Sequence, residues 1–478
     1  MRYHFYLFYD GAPGSGTAFL VSFLNCGKRV ASSSENYLLF GANVDESSDI
    51  AQLFIKELVA DLIYLESKVF EIKGKKIEFK LGELPNDMKM LSFLAGELSN
   101  SSTYFLTFAN VCQKEANNYR KTFGLSKEHY WQPWSYQKRI TDSEKVAAKK
   151  NETSNSSKTV SRNQITSFIA NSLKSRQEFK PVIRPFIDAA KAEPLHLKNN
   201  TIKEQFMKLF KIAMAKTDFR NAKTYSEIPQ QSLFAKFVEF VHHKMNCNFL
   251  SKKIQRWFND NMGKTEREFS FRFRGKESFN FMRHFPSLIL MIFDNVSHKD
   301  VKLILVQIHF QCILLRKLLS LSVRISDFNE NLQKEMVIVG RSLFKALCIF
   351  GQRVSPSMWT ICNAAPVHAK ICYEQYGFGL GCNTMEGREQ KHQSISKYSE
   401  NTTYQNRWPQ IFRHEYIQLL YLRENGFDQE SYRKKSIPYI PESSDDSCVT
   451  CLMQKLSKDV SKCLLCSSEF YNKVEAMV

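Results

Sequence analysis

The sequence predicts a mixed α/β protein, with a sheet domain interrupted by a large all-α insertion and followed by a small cysteine-bearing tail. Three observations carry this. Short aromatic and β-branched runs crowd the chain up to Phe108, helix-spaced apolar stripes fill residues 164–351, and four cysteines stand in two pairs near the C-terminus.

The elements follow in order. Residues 3–9 are aromatic-rich and predict a first strand closed by Asp10; 17–25 and 36–44 predict a second and third, the third ending in Asp45 and Glu46. The glycine-rich stretch 10–17 predicts a hairpin. It lacks the lysine before Thr17 that a phosphate-binding loop needs, so no nucleotide cofactor is expected. Residues 48–66 carry Ile50, Leu53, Phe54, Leu58, Leu62 and Leu65 in helical rhythm behind a Ser/Asp start. A fourth strand is expected at 76–81, a helix opened by Asp87 at 87–98 and a fifth strand at 103–108. These make residues 1–140 the first part of the sheet domain. Residues 141–163, rich in Lys, Ser, Thr and Asn with only Val146 and Val160 as larger aliphatics, predict a flexible linker. The all-α insertion shows stripes such as Phe206, Leu209, Phe210, Met214 and Phe234, Phe237, Phe240, Val241. The second part of the sheet domain is expected at 352–430, with a helix bearing Glu389, and the tail at 438–478 behind a flexible stretch 438–446.

At 478 residues, 43% hydrophobic and 13% aromatic, the chain is long enough for a large core and two or three folded units. Sixty-seven Lys and Arg against 48 Asp and Glu give a net +19, which favours polyanionic partners, nucleic acid first, because neutralised phosphates release condensed counterions. A generally basic surface gives the same count. No run of 18 uncharged apolar residues exists; residues 301–319 are interrupted by Lys302, Gln307, His309, Gln311, Arg316 and Lys317, so a core helix and no membrane partner are expected. The apolar N-terminus is interrupted by Asp10 without a small-residue cleavage site, which predicts a reducing compartment. Residues 252–276, with Arg256, Trp257, Arg267, Arg272 and Arg274 among aromatics, fit a phosphate-tracking surface or an ordinary solvated helix face over buried rings. Arg407, Trp408 and Arg413 divide between phosphate or base contact and structural packing, with packing the commoner role.

Cys448-x2-Cys451 and Cys463-x2-Cys466, eleven residues apart, have the spacing of two thiolate knuckles around a structural zinc with no open position. The other eight cysteines are scattered singly, as buried thiols are.

Three acids stand in order along the chain: Asp10, Asp87 and Glu389. Singly, an acid is more often a helix cap or surface charge. Phosphodiester cleavage with two Mg²⁺ or Mn²⁺ ions needs several carboxylates converging, because hard cations choose oxygen ligands. If the first and fourth strands are neighbours, Asp10 and Asp87 lie side by side, and a helix returning after the insertion can bring Glu389 to them.

Asp10-Gly11 after an aromatic strand, Asn86-Asp87-Met88-Lys89-Met90-Leu91 leading to Tyr104, and Glu386-Gly387-Arg388-Glu389 with Lys391 resemble the catalytic blocks of cut-and-paste DDE transposases. The similarity is greatest to the catalytic core of the V(D)J recombination-activating recombinase and its transposon relatives, over about residues 1–430. The resemblance implies a ribonuclease-H-like fold, metal ligation by Asp10, Asp87 and Glu389 with Glu386 in reserve, DNA nicking and strand transfer, a homodimer on paired DNA ends, and work in the nucleus. It also implies a Cys-x2-Cys pair after the second Asp, joined through zinc to two histidines. Here residues 104–110 hold no cysteine and only His368 matches, so that zinc site is not expected. Two other readings stay open: a catalytically silent, transposon-derived DNA-binding adaptor, and a zinc-ribbon protein acting through protein contacts.

Overall fold

A computed structural model describes residues 2–12, 16–45, 48–153, 158–220, 222–261, 268–351, 353–400, 402–426, 439–455, 457 and 459–478. The chain divides into two compact units: residues 1–194, 322–337 and 354–435 form the first, and 195–321, 338–353 and 436–478 the second. The insertion thus begins at Leu195 rather than at Gln164, and the cysteine-bearing tail belongs to the helical unit.

In the first unit β1 (Arg2–Ala12) and β2 (Gly16–Phe23) form the expected antiparallel hairpin, with Asp10 opposite Ala18. β3 (Tyr37–Ala42) adds antiparallel to β2. α1 (Asp49–Ser67) starts where Ser48 accepts a hydrogen bond from the Ala51 amide at 3.2 Å. Its buried face is Ala51, Ile55, Leu58, Val59 and Leu62, so the apolar stripe is rotated from the expected one and Ile50 and Leu53 face solvent. A hairpin through Lys73 and Gly74, both at positive φ, links β4 (Val69–Ile72) to β5 (Lys75–Pro85). β4 was not legible because it is four residues long and almost wholly exposed.

β5 lies beside β1 and parallel to it, from Arg2 opposite Glu78 to Tyr6 opposite Glu83. α2 (Met88–Leu94) follows at once and ends at Gly96, whose φ of +67° and contact with the Phe179 and Lys180 carbonyls leave no room for a side chain. The fifth strand expected at 103–108 does not form. Tyr104 makes only a single bridge to Cys112, and side chains take the backbone acceptors: the Trp134 indole donates to Leu106 O at 3.0 Å and Arg139 to Thr107 O at 2.9 Å. Nor are residues 141–163 an irregular linker. They fall largely in α3 (Tyr136–Glu152) and α4 (Lys158–Ser167), where Val146 packs with Leu98, Ile165 and Ile169 while the remaining polar surface is solvated. Arg139 and Arg176 pair with the buried Glu97, which keeps residues 168–194 with the sheet unit. β6 (Ala190–Lys191) then pairs in parallel with Leu84 and Pro85, completing the order β3-β2-β1-β5-β4 with β6 beside the far end of β5.

The second unit is helical: α5 (Pro194–Ala215), α6 (Leu233–Glu239), α7 (Asn248–Asn261), α8 (Gly275–Asp294) and α9 (Lys299–Ser322). Its core is aromatic, with Phe206 and Phe210 ringed by Phe237, Phe269 and Phe281. α9 alone among the described helices is long and apolar enough to cross a membrane; 61% of its apolar window is buried, the position of a core helix. α10 (Glu330–Ile349) has residues in both units. The first unit resumes with α11 (Pro356–Trp359), α12 (Ala365–Tyr376), α13 (Glu386–Tyr398) and α14 (Arg407–Asn425), and the second closes with α15 (Glu469–Met477). The eleven cysteines with described side chains are all free thiols.

Candidate functional site

Two parallel neighbours leave a sheet at the same edge, and β1 and β5 do so here. Asp10 lies near the end of β1; its carboxylate is outside the described side chains. At the end of β5 the Asn86 amide donates back to Leu7 O at 3.3 Å, and Asp87 follows directly. Asp87 is the N-cap of α2: one carboxylate oxygen accepts from the Met90 amide at 2.7 Å, and the other has no protein partner among the described residues. β6 runs alongside, and just beyond it the buried Glu193 accepts from the Met385 amide at 2.9 Å. Met385 introduces α13, whose first turn presents the half-buried Glu386 and Glu389. Farther along, Ile395 of α13 packs with Ala18, the register partner of Asp10, and with Trp408 and Ile411 of α14.

Gly387 fixes this approach. A β-carbon there would come within 2.6 Å of Asn36 Nδ2 and 2.7 Å of Val30 O, so the first turn of α13 rests directly on the chain between β2 and β3. The structure therefore takes the backbone of Asp10 and the α2 cap to one sheet edge, ties Met385 to Glu193 beyond β6, and rests the first turn of α13 on the chain between β2 and β3.

Several residues at this edge were not read from the sequence. Glu83 continues the alternation Ile77, Phe79, Leu81 in the sequence, but a register shift against β1 between Leu81 and Glu83 turns it to the opposite face, where it is fully buried. Burial pushes its carboxyl up to about 7, although Lys191 at 3.7 Å and contacts from Asn383 and Cys372 act against the rise. A glutamate on the apolar phase of a strand was the available signal. Lys391 and Glu415 form a buried ion pair at 2.7 Å, joining α13 to α14.

His368 is buried between Phe108 and Phe123, and its Nδ1 accepts the Ala192 amide at 2.9 Å. Burial holds it well below the ordinary histidine value, hence neutral with its proton on Nε2. It anchors the chain leaving β6. Trp408 is packed against β3, where only a glycine at 41 leaves space for its ring, and Arg407 bonds Asn43 and lies over Tyr404. Arg413 is exposed. In the basic stretch, Trp257 packs on Phe210 and Phe269, whereas Arg256, Arg272 and Arg274 face solvent; Arg267 lies outside the described residues. Asp45 accepts in a turn from the Ser48 amide at 3.1 Å, and Glu46 is also outside the described residues.

In the second unit the four tail cysteines converge. Their sulfurs all lie within 4.8 Å of one another and all four residues are buried. Tight turns aim them: Leu452 N donates to Cys448 O at 2.9 Å with Leu452 at φ +59°, and Ser467 N donates to Cys463 O at 2.9 Å. α9 supplies two neighbours seven residues apart on one face. His309 Nε2 stands 3.3 Å from Cys466 Sγ, and Arg316 donates to Cys451 O at 2.8 Å. Burial lowers His309 to about 3, so a neutral imidazole offers its N–H to the sulfur. Four thiolates so close repel unless a cation lies among them, and four soft sulfurs in a closed shell could hold a metal such as zinc.

A scan against protein-family models and a search of curated proteins both found no match to this chain.

Proposed function

We propose that this protein is a ribonuclease-H-like DDE polynucleotidyl transferase that nicks DNA and transfers strands, with Asp10, Asp87 and Glu389 as the carboxylates that would hold two Mg²⁺ or Mn²⁺ ions. One observation carries the reading: the parallel pairing of β1 with β5 takes the chain positions of Asp10 and Asp87 to one sheet edge, to which Glu193 ties the start of α13. Three antiparallel strands and a helix come first, and after the short β4 the chain returns as β5, parallel beside β1; that return supports the reading. The donor chemistry fits hard cations: oxygen ligands only, with one Asp87 oxygen already oriented by the Met90 amide. Bound there, the metals would supply an activated water or 3′-hydroxyl and charge for the leaving oxyanion. The protein's part is positioning: the cap fixes Asp87, and close packing at Gly387 fixes the turn bearing Glu389. Cys448, Cys451, Cys463 and Cys466 would hold a structural zinc. DNA as substrate implies a nuclear protein, and paired DNA ends imply a homodimer.

A second reading, a catalytically silent DNA-binding adaptor, is favoured by the Asp87 cap itself, which gives that residue a structural role without any metal. Supercoiled plasmid incubated with the protein, with and without Mg²⁺ or Mn²⁺, separates the two. Metal-dependent nicked circles with 3′-hydroxyl ends support the transferase; binding without nicking supports the adaptor.

A further inference from the structure

We propose that an exposed cationic face of the helical unit, formed by α7 and the extended segment 268–274, binds the backbone of a single nucleic-acid strand, with Phe249 as the ring on which a base stacks. The inference rests on the polynucleotide function proposed above and names where such a strand lies.

α7 buries Leu250, Ile254 and Phe258 along one face. Phe249, Lys252 and Arg256 recur at helical spacing on the outer side and are exposed. The segment after it is extended with a period of two: Phe269, Phe271 and Phe273 enter the aromatic core, so Arg272 and Arg274 point outward. The three phenylalanines thus act as a clamp that holds two arginines in place. The two elements meet where the Arg274 guanidinium sits 4.3 Å from the Phe249 ring centroid. Arg272 bonds the imidazole of His196 at 2.9 Å. Lys252 and Arg256 have no carboxylate partner among the described residues, and the Glu277 carboxylate accepts from the Arg274 backbone amide at 2.9 Å.

The two elements also carry the exposed acids Asp260 and Glu268, of which Glu268 pairs with Lys211 at 2.9 Å. Here Phe249 remains 55% exposed under its arginine. An acidic peptide would satisfy the charges and leave that ring idle, whereas a nucleic-acid strand uses both, phosphates on the cations and a base on the ring.

The test measures binding of the full chain to a labelled oligonucleotide, single-stranded and duplex, across a salt series without divalent metal. One variant combines Lys252→Gln, Arg256→Gln, Arg272→Gln and Arg274→Gln. A control removes equal charge from exposed positions of the sheet unit through Lys56→Gln, Lys68→Gln, Lys73→Gln and Lys75→Gln. The proposal expects the face variant to lose at least about tenfold in single-strand affinity, with the salt slope flatter by about 3, at roughly 0.7 per lost phosphate contact. Its thermal midpoint should stay unchanged, and the control should lose far less. Phe249→Ala should weaken single-strand binding several-fold and leave duplex binding unaltered. Equal losses in face variant and control, an inert Phe249→Ala, or loss confined to anionic vesicles or polyglutamate would overturn it. Because no metal is present, a face that binds while the protein never nicks DNA defeats only the transferase reading. Nicking that survives loss of the face with binding intact defeats only this one.

Discussion

Asp87 has two separable roles, and substitution chemistry distinguishes them. Asparagine caps a helix about as well as aspartate, whereas alanine forfeits about 1 kcal/mol. We expect Asp87→Ala to lower the unfolding free energy by about that amount and Asp87→Asn to leave it nearly unchanged in denaturant titrations, while both abolish nicking. Equal nicking by Asp87→Asn and wild type would assign the residue to capping alone. Glu83 makes the second prediction at this scale. Its folded carboxyl titrates near 7 against an ordinary value of 4.5, so the folded state holds the proton more tightly than the unfolded chain. The stabilisation is complete below about pH 4.5 and is lost as pH rises through about 7, a span on the order of 3 kcal/mol. Glu83→Gln should remove that slope when the wild-type minus variant stability difference is followed between pH 5 and 8. A difference that does not vary with pH would contradict it. The buried His368, held neutral, pulls the other way, since its contribution is lost as pH falls below its unfolded value.

At the scale of elements, α13 depends on a glycine where it touches the chain between β2 and β3. Gly387→Ala adds a methyl group against Asn36 Nδ2 and two backbone segments, an overpacking that costs about 1 to 3 kcal/mol. We expect it to depress nicking more than it lowers the melting temperature, because the displaced turn carries Glu389; a melt shift with unchanged activity would count against that. What the sequence disclosed at this scale follows the physics of each element. The β1–β2 hairpin, β3, α1 and β5 were legible because each has a dense local signal, an aromatic run or a Ser-led apolar rhythm. α3 was hidden because its burial rests on few side chains, Val146 and Arg139 among them, while its Lys- and Asn-rich surface read as loop. Residues 103–108 read as strand because their apolarity serves packing around Trp134 and Arg139 instead of a ladder. The Glu193–Met385, Lys191–Glu83 and Lys391–Glu415 contacts each join segments apart in sequence, which no local pattern encodes.

For the whole molecule, the division into a sheet unit and a helical unit assigns the cysteine centre to the helical one, where Arg316 and His309 of α9 tie it into the core. Metal there should therefore stabilise more than the tail. We expect one zinc per chain in the purified protein. Chelation, or Cys463→Ser, should lower the unfolding midpoint by several degrees and expose residues 448–471 to proteolysis, since metal binding is folding free energy in such centres. Full stability and protease resistance after zinc removal would show that the four cysteines pack as thiols.

The central claim concerns the sheet edge, and plasmid nicking by Asp10→Asn, Asp87→Asn and Glu389→Gln proteins in Mg²⁺ or Mn²⁺ tests it most directly. The account predicts that wild type nicks and that each variant, folded and still binding DNA, loses at least about a hundredfold in rate, some 2.7 kcal/mol of transition-state stabilisation. Wild-type nicking that persists in any one of the three would remove that carboxylate from the chemistry, and persistence in all three would contradict the account.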